Sequence, residues 1–254
     1  MKRVPIVICL IITGWLAFGT SVSAQERQPK AQDYNDAATN AISANSYQLA
    51  VSLLNQAIAL DPNYTPAYYN LGTTQFLLGQ HKSAISSLEE AIRLQPSYTE
   101  ALNQLGVVYA EVGDFEKAIS VLERSIKQRP NNPTALYNLG CTLIRKNAFD
   151  EAIAALERSV DLNPSNAEAR INLGFAYSRT NRTLQAITQF EEALRQKPED
   201  ADAQFFLGKL YLAAHNKRLA LARYEMLRPM DPVLAKQLYT SITNGRVVFV
   251  PEKR

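Results

Sequence analysis

Proline recurs at Pro62, Pro96, Pro130, Pro164, Pro198 and Pro232, and every interval is 34 residues. Proline is about 5% of ordinary sequence, so each coincidence has odds of about one in twenty and accident fails as an explanation. Glycine keeps the same beat at Gly72, Gly106, Gly140, Gly174 and Gly208, as does alanine at Ala50, Ala84, Ala118, Ala152, Ala186 and Ala220. A further column is large: Leu54, Leu88, Leu122, Leu156, Phe190 and Tyr224. Self-similarity at such a period specifies a stacked array, in which each unit buries its apolar face against its neighbours. With 46% apolar residues the chain can build that core, which excludes a disordered tether.

Each unit reads as two antiparallel helices. Tyr68, Leu71, Gly72 and Gln75 fall at helical spacing, Gly79-Gln80 breaks the run, and Ala84, Leu88 and Ala91 form a second stripe. Thr65-Pro66 and Asn132-Pro133 have the form of a cap followed by proline in the first turn. Gly72 and Ala84 lack bulk, so the paired backbones can approach closely, and Asp61-Pro62 or Gln95-Pro96 stops the second helix. Gly79 and Gly113, 34 residues apart, occupy the turn inside a unit. After the last proline, Leu234, Leu238 and Ile242 share one face of a cap helix, expected over 235–245. The tail 246–254 contains Val247-Val248-Phe249-Val250. It reads as a frayed end, with a strand-like pairing segment as the alternative.

These columns resemble the tetratricopeptide repeat. Tyr68, Leu71-Gly72, Ala84, Leu88, Ala91 and Pro96 carry the pattern in one unit; Leu105-Gly106, Tyr109, Ala118, Leu122 and Pro130 carry it in the next. Six units follow at 31–64, 65–98, 99–132, 133–166, 167–200 and 201–234. Departures sit at the ends, Ala37-Ala38 in place of Leu-Gly and Leu227 in place of Ala or Ser. The resemblance implies an all-α, right-handed solenoid of six helix-turn-helix units plus a capping helix. It also implies a non-catalytic scaffold whose first helices line a concave groove for a peptide or protein. A second reading is a structural assembly factor of the cell envelope, similar to the pilotin-like proteins of pilus or secretion-pore biogenesis. Those relatives usually carry a lipid-anchored Cys, which this sequence lacks.

Residues 1–24 read as a secretory signal of the bacterial type. Lys2-Arg3 precedes an apolar run from Val4 to Phe18, and Val22-Ser23-Ala24 offers a small-residue cleavage site. Cleavage gives a chain starting at Gln25, with 25–30 as a short linker, and leaves no integral membrane segment. The net charge of +3 drops to about +1. The expected location is periplasmic or secreted, the alternative being an inner-membrane anchor left uncleaved. Cys9 departs with the signal, so Cys141 has no internal partner for a disulfide and reads as a small buried residue.

Catalytic chemistry finds no foothold. His81 and His215, the only histidines, are both expected in turns and have no metal-ligand partner at suitable spacing. The glycines are committed to packing rather than to a phosphate loop, and scattered cations give no nucleic-acid footprint. No enzyme activity, cofactor, metal or nucleic-acid partner is expected. Carboxylates such as Glu89-Glu90, Glu123 and Glu191-Glu192 read as solvated partners of nearby arginines. Asn63-Tyr64-Thr65 and Asn181-Arg182-Thr183 match the glycosylation sequon, which matters only in a eukaryotic secretory path.

What remains is the face of each first helix that the core does not use. Asn70, Gln104, Asn138 and Asn172 form an amide ladder there, suited to gripping an extended backbone or to tying neighbouring repeats. Arg145 and Arg179, one repeat apart, suggest an acidic or carboxylate-bearing ligand, with a solvated rim as the alternative, and Lys209 lies on the same face. Tyr69, Tyr137 and Phe175 add aromatic surface, as do Phe205 and Phe206 unless core packing takes them. The family's clamp for a terminal carboxylate is not expected, because Tyr69, Thr134 and Asn138 hold its cationic places.

Overall fold

The computed structural model describes residues 29–244, and among them thirteen α-helices follow one another without a strand. The leader 1–24 and the tail 246–254 lie outside the described residues. Helices pair in order: α1 (Ala31–Ser43) with α2 (Tyr47–Leu60), α3 (Thr65–Leu77) with α4 (His81–Leu94), and α5 (Thr99–Glu111) with α6 (Phe115–Gln128). Then come α7 (Pro133–Arg145) with α8 (Phe149–Leu162), α9 (Ala167–Arg179) with α10 (Thr183–Gln196), and α11 (Ala201–Ala213) with α12 (Lys217–Met230). A last helix, α13 (Pro232–Asn244), closes the array. The protein is an all-α repeat solenoid, and each helix packs chiefly on its sequence neighbours.

The glycine column makes room for the large side chains of the paired helix. A Cβ added at Gly72 would stand 2.6 Å from Leu88 Cγ, and one at Gly106 would stand 2.5 Å from Leu122 Cγ. Gly140 against Leu156 and Gly174 against Phe190 repeat the arrangement. The alanine column opposite is fully buried from Ala50 to Ala220.

The turn inside each unit needs one residue in the left-handed region. Asn45, Gly79, Gly113, Asn147, Asn181 and His215 all have positive φ, again at intervals of 34. The chain then closes a helix-ending loop in which Gln80 N donates to Gln75 O at 2.8 Å and Asp114 N to Tyr109 O at 2.9 Å. His81 therefore differs from expectation: it is the first residue of α4, beyond the turn, with Phe76 5.7 Å away.

Capping is uneven. Asn132 accepts from Thr134 N at 3.1 Å and Ala135 N at 3.3 Å, as a cap should. Thr65 is not a cap; it is already helical, and Tyr64 precedes it without a side-chain bond. The carboxylates divide too. Glu90 pairs with Arg93 at 2.6 Å on the surface, whereas Glu89 accepts from Tyr109 of the next repeat at 2.7 Å. Glu157 and Glu191 accept from Tyr177 and Tyr211 in the same way. These tyrosine-to-glutamate bonds tie one unit to the next.

The sixth unit departs from the pattern. Four residues connect each earlier second helix to the following first helix, but only Asp231 separates α12 from α13. The cap helix thus begins at Pro232, before the expected position 235, with Asp231 capping it through Val233 N and Leu234 N. The short link draws α13 onto α11, and Leu238 meets the space above Gly208, 2.5 Å from a Cβ placed there. Tyr224, in register with Leu88 and Phe190, instead meets Tyr239 with the rings tilted and their centroids 5.1 Å apart.

Candidate peptide-binding groove

Two columns define the face that the first helices leave free of the second ones. One runs Tyr69, Asn103, Tyr137, Ile171, Phe205; the other runs Asn70, Gln104, Asn138, Asn172, Phe206. All ten side chains are partly buried, as expected for walls of a shallow channel.

Three of the expected residues come together. Tyr69, Gln104 and Asn138 line a cleft of about 700 Å³, with Asn103 between them and the Pro130–Thr134 segment as the facing wall. Glu100 and Arg129, 2.6 Å apart, flank it. Burial alone would raise the Glu100 pKa, but hydrogen bonds from its own backbone, Arg129 and Thr99 hold it below the ordinary carboxylate value. Behind Tyr69 lies Tyr98, with ring centroids 5.2 Å apart. Burial, with Tyr69, Glu100 and Tyr64 nearby, pushes the Tyr98 phenol up to about 12.

The amide ladder is not continuous. Asn70 Nδ2 donates to Asn35 Oδ1 at 2.8 Å, and Asn172 Nδ2 donates to Tyr137 Oη at 3.4 Å and Cys141 Sγ at 3.5 Å. Both tie successive repeats. Gln104 and Asn138, by contrast, make no side-chain hydrogen bond among the described residues. Burial pushes the Cys141 thiol up to about 11, so it is a packed thiol rather than a nucleophile.

The cations do not form the expected acidic-ligand site. Arg145 pairs with Glu111 at 3.3 Å and lies 5.4 Å from the Phe115 ring. Arg179 sits 4.7 Å from the ring of Phe149 and 5.9 Å from that of Phe175. Each arginine reaches back onto the aromatic residue that opens the second helix of the preceding repeat, which occupies its flat face. Lys209 is only 6% exposed, its ammonium 5.2 Å from the Phe205 ring, and burial lowers its pKa. It belongs to the interior and not to the channel wall.

Phe175 is likewise taken up by packing. It meets Phe149 and Phe206 edge-on at 6.3 and 5.9 Å, and Phe206 stacks on Phe190 at 6.0 Å. The sequence reading missed the Glu100–Arg129 flank and the role of Asn103. Its visible signal was an asparagine, shared only with Asn35 of the first repeat, in a column that is bulky elsewhere. Among the described residues no cluster of His, Cys, Asp or Glu could hold a metal ion, and no helix is long and apolar enough to cross a membrane.

Models of the tetratricopeptide repeat match residues 69–133, 103–167 and 139–205, and a model described as TPR repeat matches 42–79. No curated protein matches the sequence. Among solved structures the chain is similar to YrrB, described as a TPR protein with an unusual peptide-binding site. That match has 24% identity and a TM-score of 0.63, and covers 74% of this chain and 97% of that one. The pilF protein of Pseudomonas aeruginosa matches at 15% identity and TM-score 0.75, over 83% of this chain and 97% of that one. A chain of the APC/C hetero-tetramer Cut9–Hcn1 matches at 22% identity and TM-score 0.71; 85% of this chain is covered, but only 43% of that longer one.

Proposed function

The chain belongs to the tetratricopeptide repeat family, and from that premise we propose a non-catalytic scaffold that grips an extended segment of a partner protein along its first helices. The supporting observation is the cleft bounded by Tyr69, Gln104 and Asn138, where two amides are left without a partner among the described residues. An amide both donates and accepts, so it matches the alternating groups of an extended backbone whatever the ligand's side chains. Catalysis has no part in this reading. The test is Gln104→Ala with Asn138→Ala, read by titration with a partner peptide and by circular dichroism. Loss of each bond costs about 1 kcal/mol, so the pair should weaken binding about tenfold or more without a change of fold. Undiminished affinity in a folded variant moves the site elsewhere.

The proposal has the protein exported, periplasmic or secreted, after removal of residues 1–24. Intact-mass measurement of the exported chain tests this, and a mass that retains the leader sinks it. A second reading, assembly of an envelope structure, draws support from the fold shared with pilF over 97% of that chain. It requires binding through the ends or edges of the array, and so predicts that the double amide variant keeps full affinity.

A further inference from the structure

The groove has one place shaped for a side chain rather than a backbone. In the column of Asn35, Tyr69, Asn103, Tyr137, Ile171 and Phe205, only the first and third repeats have a small polar residue, and the cleft opens at the third, beside Asn103. Asn103 Oδ1 is buried without a hydrogen-bond partner among the described residues. The equivalent place two repeats earlier is closed, because Asn70 donates to Asn35 Oδ1 at 2.8 Å. Asn138 stands in register with Asn70 but makes no such bond to Asn103. A buried acceptor left open is unfavourable, and a ligand that supplies a donor gains what the free protein forgoes.

We propose that this cleft is a specificity pocket for a hydrogen-bond-donating side chain of the bound peptide, arginine above all. The inference rests on the reading of the groove as a peptide site. A guanidinium carries donors in one plane, so it can serve Asn103 Oδ1 and the Glu100 carboxylate together. Its flat face suits the Tyr69 ring beside them. The asparagine amide turns easily about its last torsion, which lets Oδ1 swing toward a donor entering from the cleft. A carboxylate side chain would face the open acceptor and compete with Glu100 for Arg129, which Glu100 already holds at 2.6 Å, and an alkyl one would leave that acceptor unpaired. The preference therefore runs opposite to the acidic ligand that Arg145 and Arg179 suggest in the sequence.

Four acetylated, amidated pentapeptides with alanine on both sides of a central Arg, Gln, Leu or Glu provide the probes. They are titrated into the isotope-labelled chain while the side-chain amide signals of Gln104 and Asn138 are followed. The arginine peptide is expected to bind about tenfold more tightly than the leucine one, and the glutamate peptide most weakly. Asn103→Leu should erase the arginine preference, and Asn103→Asp, nearly the same shape, should enlarge it. Equal binding of the leucine or glutamate peptide overturns the pocket, as does an arginine preference that survives Asn103→Leu in a folded variant. If all four peptides shift Gln104 and Asn138 alike, the groove reading stands and the pocket falls. If none does, both fall.

Discussion

The two halves of the groove face use the same helix positions for opposite ends. In repeats two to four the positions hold Tyr69, Gln104 and Asn138 around an open cleft. In repeat six they hold Phe205 and Phe206, which pack with Phe175 and Lys209, one turn further along their helices, and with Phe190. The backbone is the same in both halves. What differs is side-chain volume in the neighbouring repeat: phenylalanines fill the channel and join the core, while tyrosines and amides leave room and polar groups. A repeat array can thus vary the length of its binding surface without altering its helices.

Truncation should separate the halves most strongly. Phe206→Ala removes a ring that touches Phe175, Phe190 and Phe205, and is expected to cost about 3 kcal/mol. Tyr69→Ala, at the open end, should cost about 1 kcal/mol and act mainly on ligand binding. Urea unfolding of both variants is the measurement. Equal destabilisation would erase the distinction between a filled half and an open one.

The asparagines offer a finer comparison within one column. Asn172→Ala breaks the contacts to Tyr137 and Cys141, so it should lower stability by about 1 kcal/mol and leave peptide affinity alone. Asn138→Ala should do the reverse. If both variants lose affinity and neither loses stability, the whole ladder faces ligand and the division proposed here is wrong.

The repeats were legible in the sequence because their requirement is local and absolute. Gly106 cannot be larger while Leu122 occupies the adjacent space, so the spacing is written into every unit. The site was legible only by position. Asn70, Asn138 and Asn172 are the same residue at the same place, and only the side chain upstream decides whether each is a tie or a free amide. Arg145 and Arg179 misled for the same reason, since Phe115 and Phe149 lie thirty residues earlier in sequence yet directly beneath them. The sixth unit was misread because one missing stretch of linker, and no change in its columns, brings Leu238 over Gly208.

Alkaline pH probes the ties in both halves. Burial first, then a neighbouring glutamate, raises Tyr177 and Tyr211 to about 12, and burial with Tyr69 nearby does so for Tyr98. An unfolded chain releases phenolic protons near pH 10, which the folded one keeps, so the unfolded state binds fewer protons above that point. The stabilisation is complete below about pH 10 and is lost as the pH rises toward 12. Urea midpoints measured from about pH 9 to about pH 11 should fall. Tyr177→Phe with Tyr211→Phe should flatten that slope more than Tyr98→Phe does, because it removes two of the ties at once. A slope unchanged in the double variant would show that these phenols titrate alike in both states.

The smallest expected effect lies in the turns. The left-handed position is glycine in the second and third units, Gly79 and Gly113, but Asn147, Asn181 and His215 in the last three. Asparagine tolerates this region better than other side chains, because its short amide bonds locally. Histidine at φ 58° is the poorest fit of the six. His215 is exposed and its turn is closed by Asn216 N donating to Tyr211 O at 2.7 Å, a bond that does not depend on the imidazole. His215→Gly relieves the strain but also frees the unfolded chain, so the two terms partly cancel. The net gain should be about 0.5 kcal/mol, seen as a small rise in Tm. Gly79→Ala should move the other way by about 1 kcal/mol, since nothing but backbone conformation opposes the added methyl. Opposite signs at two positions of one column would show that backbone conformation, not contact, sets the residue there; a fall in Tm for His215→Gly would mean that the imidazole makes a stabilising contact of its own.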